Sequence, residues 1–152
     1  QVEKILDYSL MDCHIYREVK TDKYRFLDLL IVNQQYKYVI IIENKFYATE
    51  SKNQLNDYLS FIENTFHDFT IIPVYLTLDG EEPSNSNYFI LTYERIESIL
   101  QTILKFNHEQ LSNEVYQFIK DYNQILKEKF YTNQEQILLA IEIYRNHKAT
   151  NG

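Results

Sequence analysis

The sequence predicts an α/β fold, and three observations carry that prediction. Two nearly continuous apolar runs rich in β-branched residues, Arg25 to Val32 and Tyr38 to Phe46, read as buried strands. Apolar residues then recur at helical spacing through Leu55, Leu59, Ile62 and Phe66. Past residue 92 only helical periodicity follows, clearest in Leu111, Val115, Phe118, Ile119, Tyr122 and Leu126.

Taken in order, Gln1 to about Asp12 reads as a helix, with Val2, Ile5, Leu6 and Leu10 at helical intervals. His14 to Lys20 reads as the first strand, the two apolar runs as the second and third, and Glu50 to about Phe66 as a helix. Thr49 is the expected N-cap of that helix, and Glu50 suits the positive end of its dipole. Phe69 to Leu78 reads as a fourth strand and Tyr88 to Thr92 as a short fifth, separated by the acidic, turn-rich loop Asp79 to Asn87. Tyr93 to about Phe106, Glu109 to Phe130 and Asn133 to His147 read as helices. With 152 residues, no internal repeat and no obvious linker, the chain reads as one domain, its core over about 1–92 and its helical part over about 93–147.

The strands carry charges where core residues belong. Asp28 lies in the second strand, and Glu43-Asn44-Lys45 end the third. A buried carboxylate costs several kcal/mol unless it finds a partner or a metal. If residues 25–34 and 37–46 form an antiparallel hairpin turning at Gln35-Tyr36, cross-strand partners have numbers summing to 71, which sets Asp28 opposite Glu43. Lys45 shares that face because strand side chains repeat every two residues, while Asn44 points away and its backbone carbonyl remains a further oxygen donor. Gln-Tyr is not a favoured hairpin dipeptide, so a longer loop with a shifted register stays open; a one-residue slip would separate the carboxylates.

Two carboxylates and a carbonyl oxygen form a hard ligand set suited to Mg2+ or Mn2+, with positions left for water and phosphate oxygens. That set permits phosphodiester hydrolysis, with the Lys45 ammonium orienting the attacking water or stabilising charge on the phosphate. The blander alternative is that Glu43 to Lys45 mark a core strand emerging into solvent, with Asp28 held by a neighbouring cation. Gln54 and Tyr58, four apart on the next helix, lie on one stripe beside its core face; they fit a site border or an ordinary polar flank.

The run RFLDLLIV, then YVIIIENKF, then ESKNQLNDYLSFI resembles the PD-(D/E)XK nuclease superfamily, in which an Asp on one strand precedes Glu-x-Lys on the next and a helix often carrying Gln and Tyr. The resemblance covers about residues 1–78. It implies a restriction-endonuclease-like core ordered α-β-β-β-α-β with a mixed sheet, Asp28 and Glu43 as metal ligands, Lys45 as the catalytic lysine, and Gln54 and Tyr58 at the site. Gln54 would hydrogen bond a metal ligand or the phosphate, and Tyr58 would do likewise or pack on a sugar. The resemblance also implies an acidic residue near the metal on the first helix, for which Glu3 is the candidate and Asp7 the alternative. Leu27 stands where the family's name has Pro, a residue with no chemistry to perform.

Charge constrains partners less simply. The net of -7 argues against a broad basic nucleic-acid surface. Residues 1–50, however, carry seven Lys or Arg and eight Asp or Glu, so a bound divalent ion would make that region neutral or positive. Arg17, Lys20, Lys23 and Arg25 would meet a phosphate backbone or serve as solvated edge-strand charges. Some of the 14 tyrosines could stack on bases. A single cysteine, Cys13, excludes an internal disulfide and suits a reducing cytosol; four scattered histidines and two glycines provide neither a zinc site nor a phosphate-binding glycine loop. Neither a membrane-spanning stretch nor a signal peptide is evident. The chain starts at Gln1 rather than Met, which fits a piece of a larger protein.

The expectation is therefore a prokaryotic, cytoplasmic, Mg2+-dependent endonuclease or exonuclease acting on nucleic acid, foremost DNA, in defence, restriction or repair, as a homodimer or within a larger complex. The alternative is a catalytically inactive nuclease-like module acting through protein-protein contacts.

Overall fold

A computed structural model of the chain describes residues 12–46 and 50–130. The expected first helix, with Glu3 and Asp7, the Thr49 cap and the helix over Asn133 to His147 lie outside the described residues. The chain divides into two compact units, Gln1–Thr92 and Tyr93–Gly152.

In the first unit five strands form one mixed sheet in sequential order: β1 Cys13–Lys20, β2 Phe26–Asn33, β3 Tyr38–Lys45, β4 Thr70–Thr77 and β5 Phe89–Thr92. β1, β2 and β3 are antiparallel, whereas β4 runs parallel to β3 and β5 parallel to β4. A parallel pair needs a crossover, and helix α1, Gln54–Thr65, lies in the β3–β4 connection. This is an α/β fold with a restriction-endonuclease-like core.

The β2–β3 ladder runs from Asn33↔Tyr38 to Leu29↔Ile42, so partner numbers sum to 71, as a hairpin centred on Gln35-Tyr36 predicts. The turn is longer than the expected dipeptide and spans residues 34–37. Lys37 adopts φ 51°, and the Asn33 side chain accepts a hydrogen bond from the Tyr36 N–H at 2.8 Å. Polar side chains that close a turn on nearby backbone replace the Gly such a bend usually uses.

Alternation along β3 buries Val39, Ile41, Glu43 and Lys45 and leaves Asn44 exposed. Val39 and Ile41 join Leu30, Val32, Leu55, Tyr58, Leu59 and Ile62 in the core between sheet and α1. Glu43 and Lys45 therefore continue the core stripe rather than leaving it. Phe66, expected on the same face, is partly buried against this cluster.

The β1–β2 pairing skips Glu18 and Asp28. Partner numbers sum to 46 on both sides of this gap, yet Leu30 and Leu27, three residues apart, both reach the core. One residue left unpaired in each strand preserves the register while exchanging the faces. Glu18 has φ 52°, in the left-handed region unusual for a residue with a Cβ. The break sits at Asp28, where the ladder to β3 has also ended.

Helix α1 starts four residues later than the sequence suggests. Asn53 is its N-cap in left-handed geometry (φ 60°) with no side-chain cap bond. Glu50 stands outside the helix and its carboxylate binds Ser84, through the backbone N–H at 3.1 Å and through the hydroxyl. A tertiary contact to the loop before β5 thus replaces the expected interaction with the helix dipole.

In the second unit, α2 spans Tyr93–Phe106, with Glu94 in its first turn and Lys105 in its last, both favourable to the dipole. A 3-10 turn at His108–Gln110 precedes a helix over 113–130, here α3. The expected helix start at Glu109 is corrected to 113, where the Ser112 hydroxyl accepts from the Val115 N–H at 3.3 Å. The expected inward stripe also changes: Leu126 is buried and Ile119 and Tyr122 are half-buried, but Val115 and Phe118 are exposed. The inward face of α3 instead takes Asn123, a polar residue that periodicity of apolar positions does not find. Among the described residues, no helix is long and apolar enough to cross a membrane.

Candidate active site

Four side chains from two elements meet where β3 ends against the start of α1. The Lys45 ammonium lies 2.7 Å from Glu43 Oε1 and donates to Gln54 Oε1 at 3.1 Å. Gln54 Nε2 donates to Glu43 Oε1 at 2.7 Å and to the Tyr58 hydroxyl at 2.9 Å. Tyr58 in turn donates to the Phe26 carbonyl at 2.7 Å, tying the site to the start of β2. Tyr58 is 1% exposed, so it is a core residue with its hydroxyl in the site rather than a polar flank.

The position of Gln54 has a local cause. It opens α1, and its Oε1 accepts from both the backbone N–H and the hydroxyl of Ser51 at 3.2 Å. Ser-x-x-Gln has the spacing of a capping box, but with Asn53 as the N-cap the contact closes the turn that precedes the helix instead of capping its first turn. That signal is legible in Ser51 and Gln54, but reading the helix from Glu50 passes over it. Folding back turns the Gln54 amide towards β3 and fixes it between Lys45 and Glu43.

Asp28 reaches the same place from β2. The β2–β3 ladder stops at Leu29↔Ile42, one pair before Asp28 would face Glu43. There Asp28 Oδ2 accepts the Asn44 N–H at 2.8 Å. The carboxylate thus takes a strand hydrogen bond that backbone would otherwise supply, which sets it beside β3. At Asn44 it is the backbone N–H that meets Asp28.

Glu43 is 2% exposed, and its Oε2 is buried with no hydrogen-bond partner among the described residues. Burial pushes its carboxyl up to about 7; the Lys45 hydrogen bond opposes the shift, while the charges of Asp28 and Glu50 add to it. Burial likewise pushes the Tyr58 hydroxyl up, keeping it protonated as a donor. A buried ion pair is weak evidence for stability, since desolvation can exceed the attraction between the charges. A buried carboxyl poised near neutrality, with a lysine beside it and one oxygen orphaned, is the arrangement expected of a working site.

A divalent cation fits this donor set. The orphaned Oε2 of Glu43 and the Asp28 carboxylate are hard oxygens, and a cation there would satisfy Glu43 Oε2, one of two buried side-chain atoms left without a hydrogen-bond partner among the described residues, the other being Asn123 Oδ1. Among the described residues no group of three His, Cys, Asp or Glu side chains is placed to hold a metal. Further oxygens would come from backbone, water or substrate, as suits Mg2+, which retains several waters.

Of the nearby cations, Lys23 is 2.5 Å from Asp57, while Arg25 donates to the Ser51 hydroxyl at 3.2 Å and the Lys52 carbonyl at 3.1 Å. These contacts brace the β1–β2 turn against the approach to α1, a role the sequence did not reveal.

A five-stranded mixed sheet with Asp on β2, Glu-x-Lys on β3 and Gln-x-x-x-Tyr on the following helix defines a nuclease-like α/β core. Residues 2–146 match the sequence model of the PD-(D/E)XK nuclease superfamily, and the chain belongs to that superfamily. Among curated proteins and among solved structures no match is found.

Proposed function

We propose that the chain is a divalent-metal-dependent nuclease that hydrolyses phosphodiester bonds, with DNA as substrate and prokaryotic defence, restriction or repair as its role in the cytoplasm. The observation that carries this reading is the buried Glu43–Lys45 pair, with Glu43 Oε2 orphaned and Asp28 beside it. Asp28 and Glu43 would hold Mg2+ or Mn2+, with the Asn44 backbone carbonyl and Glu3 as further donors. The bound ion supplies Lewis acidity at the phosphate and a water acidified for attack.

The chain's own residues do the rest. Lys45 has its ammonium fixed by two acceptors, so its charge is oriented before substrate arrives and costs little reorganisation when charge develops on the phosphate. Gln54 holds Lys45 and Glu43 in one geometry, and Tyr58 locks Gln54 to β2 through the Phe26 carbonyl. Packing of Tyr58 in the core keeps this scaffold rigid and limits water around the pair.

Incubation with single- and double-stranded DNA and RNA in Mg2+ or Mn2+ tests the reading. Cleavage that stops when EDTA is added is the expected result. Cleavage equally fast in EDTA would remove the metal from the account. Failure to cut any of the four substrates would turn attention to the alternative of an inactive module acting through protein contacts. One feature favours that alternative: Val115, Phe118 and Ile125 on α3 are each about half exposed or more.

A further inference from the structure

The β1–β2 turn is more elaborate than joining two strands requires. Thr21 closes it twice, its N–H donating to the Arg25 carbonyl at 2.8 Å and its hydroxyl to the same oxygen at 3.2 Å. Tyr24 sits at the bend with φ 58°, a left-handed conformation that Asn or Gly adopts far more readily. A bulky aromatic held there at a cost of on the order of 1 kcal/mol needs another reason for its presence. Its side chain takes no part in the core, since Tyr24 is 79% exposed. Lys20 Nζ lies 4.8 Å from the ring centroid, and Phe26, two residues on, is 56% exposed.

The turn is also fixed relative to the site. Arg25 ties it to Ser51 and Lys52, and Ser51 binds Gln54. From the other side, hydrogen bonds run from the Phe26 carbonyl through Tyr58 and Gln54 to Glu43. An exposed aromatic with one face against a cation, braced beside a phosphate-cleaving centre, has the features that bind a nucleic-acid strand without reading its sequence. Bases within a duplex are already stacked on one another, so such a ring gains a partner only from an unpaired base.

We infer that the β1–β2 turn is a strand-binding element: Tyr24 stacks on an unpaired base flanking the scissile phosphate, and Lys20 and the exposed Lys52 meet the neighbouring phosphates. The inference rests on the nuclease reading and deepens it, giving the substrate class as single-stranded DNA or a duplex carrying an unpaired end or flap.

Steady-state cleavage by Tyr24→Asn and Tyr24→Phe tests it, on a single-stranded oligodeoxynucleotide and on a blunt duplex of the same sequence. Asn retains the left-handed turn and removes the ring; Phe retains the ring. On the single strand, Tyr24→Asn should raise KM about tenfold, the scale of one base–aromatic stack, with kcat nearly unchanged. Tyr24→Phe should match the wild type, and the duplex should show no difference among the three. A 5-iodouracil strand irradiated with the wild-type chain in EDTA should cross-link at Tyr24. A flat KM on the single strand, an equal rise on the duplex, or a Phe variant as impaired as Asn would overturn the inference while wild-type cleavage left the nuclease reading standing. A wild-type chain that neither cuts nor binds either oligonucleotide would overturn both.

Discussion

Replacing Lys45 with alanine should leave Mg2+ affinity close to that of the wild type and reduce cleavage by on the order of 10^2-fold or more, the usual scale for losing one positioned electrostatic group. The ammonium is not a metal ligand; it is held by Glu43 and Gln54 at 2.7 and 3.1 Å with its charge available to substrate. Glu43→Ala should abolish both metal binding and cleavage, since it removes the orphaned oxygen along with the anchor of Lys45. The comparison belongs well above pH 7, because Lys45 holds the Glu43 carboxyl down and its loss leaves more of that carboxyl protonated. Calorimetry and single-turnover cleavage on both variants separate the roles. A Lys45→Ala chain that loses metal affinity but cuts normally once saturated with metal would make Lys45 a balancing charge.

The metal-free chain should lose stability as pH rises from about 4.5 to about 7. Glu43 is the cause: its carboxyl is raised from 4.5 to about 7, first by burial and then by Asp28 and Glu50. Between those values the folded chain holds a proton that the unfolded chain has released, so the folded state binds more protons and its stability falls with pH. The stabilisation is complete below the unfolded value and is lost through the folded one. Its full size is on the order of 3 kcal/mol. In EDTA, the melting temperature of the wild type should fall across this window relative to that of Glu43→Gln, which carries no such proton. Parallel profiles for the two chains would contradict the assignment. Protons and metal compete for the same oxygens, so Mg2+ binding should weaken below pH 7 in the wild type.

The pairing of the strands that carry the candidate site could be read from the sequence because a turn centred on Gln35-Tyr36 sets the register and the apolar alternation sets the faces. Val39 and Ile41 lie opposite Val32 and Leu30 on the buried face, which excludes a one-residue slip, and the same alternation carries Glu43 and Lys45 inwards. Extending the turn from two residues to four did no harm, since it shortens both strands equally and keeps the pairing sum at 71. Other features depend on contacts made at a distance. Tyr58 looks polar on a helical wheel, yet it is buried because its hydroxyl finds Gln54 and the Phe26 carbonyl. The late start of α1 follows from the left-handed Asn53 and from Glu50 turning to Ser84, thirty-four residues away. The paired break at Glu18 and Asp28 has no sequence signature, for neither residue is a glycine. On α3, Val115 and Phe118 share the apolar stripe but are exposed, and the buried positions include the polar Asn123, which a search for apolar periodicity passes over.

The central claim is that Asp28 and Glu43 bind one divalent cation, and calorimetric titration of Mn2+ into the wild-type chain and into Asp28→Ala tests it most directly. Asp28 sits beside β3 through the Asn44 N–H, so removing its carboxylate takes away one of the two strand carboxylates proposed to hold the ion. The account predicts one binding event in the wild type and its loss or marked weakening in Asp28→Ala, in a variant that still melts cooperatively. Unchanged affinity and stoichiometry in a folded Asp28→Ala chain would contradict it.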